Sequence, residues 1–332
     1  MIDIKSLKNG STIDELFLIH DAFVAKTKAG KDYLRCTLGN KTGTIEARLW
    51  TLPAKYVLPK VGELFRVWGT VTEFNSTLQI NVDTMQPVSP DGDTDITEFT
   101  ASVDNPPGDT AREVAYALIE EAIAGSNVLS EIWNRFKRSV LFEKSSTWTA
   151  ACAVHHAGAY GWIKHSFEVL KYALQIYRAL PADTKPHVRY DVLMLGAFFH
   201  DIGKLRGYGF ECGVSVMTDE GMLLEHAVLG CLIIEDLLNG KYTKDAPYQL
   251  STEEEVSTVI ALEHCIASHH MELEWGAPVN PVAIEAVIIA HADQLSASLD
   301  TITQSLNKRA ADDKWSEKIF TQHNRKFTTF NK

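Results

Sequence analysis

A chain of 332 residues with 45% hydrophobic and 23% charged side chains can core one large or two ordinary domains, which excludes a disordered or fibrous protein. No apolar run reaches the roughly 20 residues of a bilayer span. The opening Met1-Ile2-Asp3-Ile4-Lys5 is no signal peptide, and five scattered cysteines (Cys36, Cys152, Cys212, Cys231, Cys265) form no CxxC pair, so a cytoplasmic chain with reduced thiols and no membrane partner is expected. The net charge of −11 argues against a nucleic-acid partner only until it is mapped. Residues 91–109 hold six acids and no base, whereas residues 1–90 hold 11 Lys and Arg against 9 Asp and Glu.

In chain order, residues 1–88 read as strands. Leu34, Cys36 and Leu38 alternate with Tyr33, Arg35 and Thr37, the period of a half-buried strand. Gly39-Asn40-Lys41-Thr42-Gly43 supplies a turn, and Ile45, Ala47 and Leu49 then alternate with Thr44, Glu46, Arg48 and Trp50. A short helical piece is expected over 53–58, followed by strands over 63–71 and 77–82. Five strands with a helical insert after the third predict a small Greek-key barrel, the OB-fold. Tyr33, Arg35, Arg48 and Trp50 fall on the face away from its core. Rings that stack on bases and arginines that meet phosphates suit a single strand there; the alternative is an ordinary solvated sheet face. Phe74 is a weaker candidate of the same kind. Residues 89–109, rich in turn formers, read as an acidic linker. Helices are expected over 110–124, 127–142, 161–180, 190–203, 222–239, 251–269 and 281–298, with a β-ribbon near 207–218.

Residues 192–199 form an apolar helical run that delivers His200 and Asp201 to a buried end, where charge is costly unless paired or metal-bound. His165 lies upstream, and His226, His269, His270 and Asp293 lie downstream, each in or beside an apolar helical segment. One face of a site can be built from His165, His200, Asp201 and Asp293, and a second from Asp201, His226, His269 and His270. Asp201 is the natural bridge, because a carboxylate has two oxygens. Two cations about 3.5–4 Å apart can activate water and stabilise attacking and leaving oxygens. So much imidazole favours Mn, Fe, Co, Ni or Zn over Mg. His187, His264 and His291 read as structural, and His20 and His323 have no context. Lys204, one turn past Asp201, either meets developing phosphate charge or sits at a helix C-terminus favoured by the dipole.

The order H…HD…H…HH…D resembles the HD-domain superfamily of metal-dependent phosphohydrolases. His155-His156-Ala157 with Gly161-Trp162-Ile163-Lys164-His165-Ser166, then Phe199-His200-Asp201-Ile202-Gly203-Lys204, then Ser268-His269-His270 with Glu274-Trp275-Gly276-Ala277-Pro278, resemble the YhaM family of 3′→5′ exoribonucleases. The tail, Ser316-Glu317-Lys318-Ile319-Phe320 with Asn324-Arg325-Lys326-Phe327, is similar too. The resemblance implies an α+β multidomain chain: an OB-fold β-barrel over 1–88, a linker over 89–109, and an all-α HD domain over 110–332. It implies Asp201 and Lys204 as catalytic residues, with His165, His200, Asp201, His226, His269, His270 and Asp293 as ligands to two divalent ions, manganese first and Fe, Co, Ni, Zn or Mg as alternatives. His155 and His156 either line the phosphate path or cap a helix. Four positions depart from the family pattern. Glu225 and Met271 stand where glycine is common, and Ser296 and Ser298 where an Asp and then a basic residue are usual.

The expected function is a metal-dependent 3′→5′ exoribonuclease, acting also on single-stranded DNA, that releases nucleoside 5′-monophosphates and works as a cytoplasmic homo-oligomer. The alternatives are an HD phosphohydrolase of a small or cyclic nucleotide, and a non-catalytic nucleic-acid-binding protein with a structural metal.

Overall fold

The computed structural model describes residues 2–27, 29–53, 56–74, 77–88, 107–150, 159–211, 214–309 and 313–330. By packing, the chain divides into Met1–Ser102 with Phe210–Val216, and Val103–Gly209 with Met217–Lys332. The first unit is a closed barrel of β1 (Thr12–Lys26), β2 (Asp32–Asn40), β3 (Gly43–Leu49), β4 (Leu64–Phe74) and β5 (Thr77–Val88), in the order β1-β2-β3-β5-β4. The β4–β1 pairing joins the two ends, and the β3–β5 contact is the one parallel pairing among these strands, aligning Ala47 with Ile80. This strand order is the OB-fold. Alternation puts Leu34, Cys36, Leu38 and Ala47 inside with Phe17, Val67 and Ile80. β1 is long enough to serve two partners because its register shifts between Ile19 and Asp21; residues 18–26 pair with β2 and residues 12–18 with β4. Gly69 lies at a second register shift, and a Cβ there would come within 2.3 Å of the Asn81 carbonyl oxygen. The helical piece expected over 53–58 is absent from the described residues of that stretch, which have no regular secondary structure.

The second unit holds α1 (Asp109–Ile123), α2 (Asn127–Arg138), α3 (Val140–Ser145), α4 (Gly161–Ala179), α5 (Tyr190–Phe199), α6 (Lys204–Gly207), α7 (Asp219–Leu238), α8 (Glu253–Ser268) and α9 (Ile284–Lys308). In sequence, α6 is followed by a two-stranded ribbon, β6 (Tyr208–Glu211) and β7 (Val214–Met217), most of which groups with the first unit. α5 is apolar on all sides and every residue from Val192 to Phe199 is buried, as expected of a central helix. It packs against α1, α4, α8 and α9. The helix expected over 127–142 is two helices. Ser139 adopts extended backbone between them, and its Oγ accepts the Leu141 N–H. α9 runs ten residues past the expected end at 298. Buried Arg135 on α2 donates to the carbonyls of Leu237 and Leu238, closing the C-terminal end of α7.

Candidate metal centre and nucleic-acid face

His165 comes from α4, and His200 and Asp201 follow the last residue of α5. His226 lies just after a kink in α7, His269 and His270 follow α8, and Asp293 is in α9. Gly203 brings the Asp201 turn against α7: a Cβ there would come within 1.8 Å of the His226 carbonyl oxygen, so only glycine permits the approach. Trp162 Nε1 donates to the Asp201 carbonyl at 2.9 Å and anchors the same turn on α4.

The Asp201 carboxylate faces two ways. Its Oδ2 lies 3.5 Å from His165 Nε2 and 3.4 Å from His200 Nε2, and accepts from Lys204 Nζ at 2.6 Å. Its Oδ1 lies 3.3 Å from His226 Nε2 and 3.5 Å from His269 Nε2. Asp293 Oδ1 is 3.0 Å from His165 Nε2. The ring of His270 is 4.2 Å from that of His269 and 4.8 Å from that of His226, centroid to centroid. The sequence-predicted ligands therefore form two groups on opposite sides of one carboxylate, and each of His165-His200-Asp201 and His226-His269-His270 offers atoms within 4.8 Å of one another.

A divalent ion fits this donor set. Among the described residues, Asp201 Oδ1 is buried without a hydrogen-bond partner, which is costly for an anionic oxygen. The Nε2 atoms of His165 and His200 approach to 3.2 Å, and those of His226 and His269 to 3.3 Å. Imidazole lone pairs aimed at each other repel unless a cation or proton lies between them. Burial depresses the pKa of His226 to about 4 and, with neighbouring His269, that of His270 to about 3. Burial also lowers His165 despite Asp293, whereas at His200 the nearby Asp201 outweighs burial and raises it. Burial would raise the Asp201 pKa, but Lys204 and His200 hold it well below the usual carboxylate range. Neutral imidazoles and ionised carboxylates are the ligating forms.

Lys204 opens the four-residue α6 just past the end of α5. Burial opposes its charge, and Asp201 more than offsets that. His264 accepts the Val282 N–H, a structural role as expected. His155 and His156 lie outside the described residues. The two glycine departures occupy backbone that glycine favours: Glu225 has φ 61° and ψ 153°, and Met271 has φ 67°. Glu225 places its carboxylate 3.7 Å from His226 Nδ1. Ser296 and Glu168 are site residues that no motif announced: His165 Nδ1 is 3.1 Å from Ser296 Oγ, which donates to Glu168 Oε2 at 2.8 Å.

On the barrel, Tyr33 and Trp50 stack with centroids 4.7 Å apart and planes 27° apart. Trp50 Nε1 donates to Asn81 Oδ1. The Arg48 guanidinium lies over Trp50 at 5.6 Å and over Phe74 at 5.5 Å, and Arg35 over Phe23 at 5.7 Å. Glu46 accepts from both arginines, which outweigh burial and lower its pKa. The four predicted residues and Phe74 thus form one face. Phe23, 41% exposed, joins it without having been predicted, because it extends β1 beyond any alternation legible there.

Residues 162–298 match the HD domain family. The chain is 27% identical over 326 residues to the 3′-5′ exoribonuclease YhaM of Bacillus subtilis (strain 168), covering 97% of each. It is 26% identical over 322 residues to the YhaM of Bacillus velezensis (strain DSM 23117 / BGSC 10A6 / LMG 26770 / FZB42), covering 96% of this chain and 95% of that one. The second OB-fold domain of replication protein A from Methanococcus maripaludis is 23% identical, with a TM-score of 0.23, over 27% of this chain and 96% of that one. The chain is an OB-fold barrel followed by a helical HD domain, similar to YhaM exoribonucleases along nearly its whole length.

Proposed function

We propose that this chain is a metal-dependent 3′→5′ exoribonuclease that degrades single-stranded RNA, and single-stranded DNA secondarily, to nucleoside 5′-monophosphates. The observation that carries the reading is the Asp201 carboxylate, buried between two histidine groups with one oxygen turned to each. His165, His200, Asp201 and Asp293 would hold one divalent ion, and Asp201, His226, His269 and His270 a second, with manganese the expected metal. Such ions supply Lewis acidity toward a phosphoryl oxygen and lower the pKa of water.

The chain's own groups do the rest. Asp201 keeps its charge because Lys204 pairs with it at 2.6 Å. We assign that buried ammonium the role of electrostatic partner to negative charge developing on the phosphoryl group. Tyr33 and Trp50 stack bases, and Arg35 and Arg48, held by Glu46, meet phosphates. His155 and His156 are proposed to line the phosphate path. We place the activity in the cytoplasm and on a homo-oligomer.

The test is a competition of substrates. Metal-stripped chain reloaded with Mn²⁺ is given equal phosphodiester concentrations of a single-stranded RNA 20-mer, the matching DNA, and a cyclic dinucleotide. Fastest turnover of RNA is expected. Preference for the cyclic dinucleotide would transfer the reading to a small-nucleotide phosphodiesterase, and no hydrolysis of any of them would make the chain a binding protein.

A further inference from the structure

The histidines of the centre are anchored through Nδ1 by different kinds of acceptor. His200 Nδ1 is 2.9 Å from the Ala197 carbonyl oxygen, His269 Nδ1 2.7 Å from that of Ile266, and His270 Nδ1 2.8 Å from that of Trp275. A carbonyl accepts and cannot donate, so these three rings carry a proton on Nδ1 and, when neutral, offer Nε2 as the ligating lone pair. His165 differs. Its Nδ1 meets the hydroxyl of Ser296, which can donate or accept. A donating hydroxyl would put the ring proton on Nε2, aimed at His200 Nε2 and Asp293, and the ring would then present a proton instead of a ligand.

Glu168 decides between these cases. Ser296 Oγ–H is directed to Glu168 Oε2 at 2.8 Å. A serine hydroxyl has one proton, and an ionised carboxylate takes it without being able to return one. Ser296 Oγ is left to accept from His165 Nδ1–H, against Asp293, whose Oδ1 lies 3.0 Å from Nε2 and would hold the proton there unless an ion takes that nitrogen's lone pair. The spacing makes this a built chain. Glu168 lies three residues after His165 on α4, and Ser296 three after Asp293 on α9, so each partner sits one turn from a proposed ligand on two packed helices. His165 and Ser296 are both fully buried.

We infer that Glu168 and Ser296 are positioning residues that fix His165, through the sequence carboxylate–hydroxyl–imidazole, in the one neutral tautomer that can ligate a metal. This rests on the metal-centre reading above. Outer partners of metal-bound histidines commonly change metal affinity about 10–100-fold when removed.

Two measurements on the full-length chain test it. In Zn²⁺-loaded protein labelled with ¹⁵N-histidine, with the His165 signals identified by their loss in His165→Gln, two-bond proton–nitrogen correlations report which ring nitrogen carries hydrogen. The expected result is Nδ1–H in the native chain and a substantial Nε2–H population in Ser296→Ala and Glu168→Ala. In Mn²⁺ titrations by calorimetry, each variant should weaken one ion about 10–100-fold. Glu168→Gln, whose amide oxygen still accepts, should recover part of the loss. The Ser296→Ala/Glu168→Ala double variant should be no weaker than Ser296→Ala alone, because removing the hydroxyl already disconnects Glu168. Native His165 protonated on Nε2, or a native chain that binds Mn²⁺ while both single variants stay within twofold, would overturn this inference alone, as would losses that add in the double variant. A native chain that binds no Mn²⁺ would overturn the metal-centre reading and this inference with it.

Discussion

Replacing Trp50 by alanine on the barrel face should weaken binding of a single-stranded RNA 20-mer about 10–100-fold. The magnitude follows from the ring geometry. Tyr33 and Trp50 are 4.7 Å apart and 27° from parallel, so each ring covers one face of the other, and a base stacking on Trp50 does so beside or in place of the Arg48 guanidinium that lies over it at 5.6 Å. A stacked base is worth about 1–3 kcal/mol, and about 1.4 kcal/mol is tenfold in affinity, which gives roughly 5–150-fold per ring. Trp50→Ala removes its own stacking surface and also the plane against which Tyr33 rests. It frees the Arg48 guanidinium as well, which lies over the same indole. The Tyr33→Ala/Trp50→Ala pair should therefore lose less than the product of two independent rings, about tenfold beyond Trp50→Ala. Fluorescence anisotropy at fixed salt, in chelator so that no strand is cut, reads the dissociation constants, and circular dichroism melting verifies that the barrel is intact. If the double variant binds the 20-mer within twofold of the native chain, this face is not the binding surface.

Three further outcomes are expected. His200→Ala and Asp201→Asn should abolish hydrolysis and lower bound manganese as measured by mass spectrometry; full turnover without the Asp201 carboxylate would end the two-ion account. Glu225→Gly, at φ 61° and ψ 153°, should relieve strain of about 1–3 kcal/mol against about 0.4–1 kcal/mol of added chain entropy, so the melting temperature should rise by a few degrees; a lower one would mean the Glu225 side chain stabilises more than its backbone costs. Burial, aided by Glu235, raises the Glu263 carboxyl to about 7, so the folded state binds its proton more tightly than the unfolded chain does. That contribution is complete below about 4.5, the ordinary value, and is lost as pH rises through about 7. Urea unfolding at pH 5 and pH 8 should show the native chain losing more stability over that interval than Glu263→Gln, and equal losses would refute the assignment.

Much of this architecture is legible in the sequence because one physical constraint dominates each stretch. The alternation around Leu34-Cys36-Leu38 and Ile45-Ala47-Leu49 reflects a sheet with one face in the core, and it returns as β2 and β3 with those residues inside. The uninterrupted apolar run 192–199 reads as a helix buried on every side, which α5 is. What escaped depends on tertiary neighbours. Ser139 breaks a good helical pattern because its hydroxyl caps α3. Residues 53–58 have helix-compatible composition, yet the described residues there take no regular secondary structure. Ser296 stands out in the sequence only as a departure from a family pattern. That it and Glu168 meet beside His165 follows from the packing of α4 on α9, which no local signal encodes. Glu225 and Met271 likewise stand out as missing glycines, and the reason, positive φ beside His226 and His270, is visible only in the fold.

The central claim is tested most directly by end-labelled and circular substrates. Mn²⁺-loaded chain is incubated with a 5′-labelled single-stranded RNA, the same RNA as a duplex, and a covalently closed circle of equal length, and the products are resolved on a sequencing gel with chromatography of the released nucleotides. The account predicts a ladder of 5′-labelled strands shortening one residue at a time from the 3′ end, nucleoside 5′-monophosphates as product, resistance of the duplex, and an intact circle. Efficient cutting of the circle, or release of the 5′ label as a mononucleotide at the outset, would contradict it.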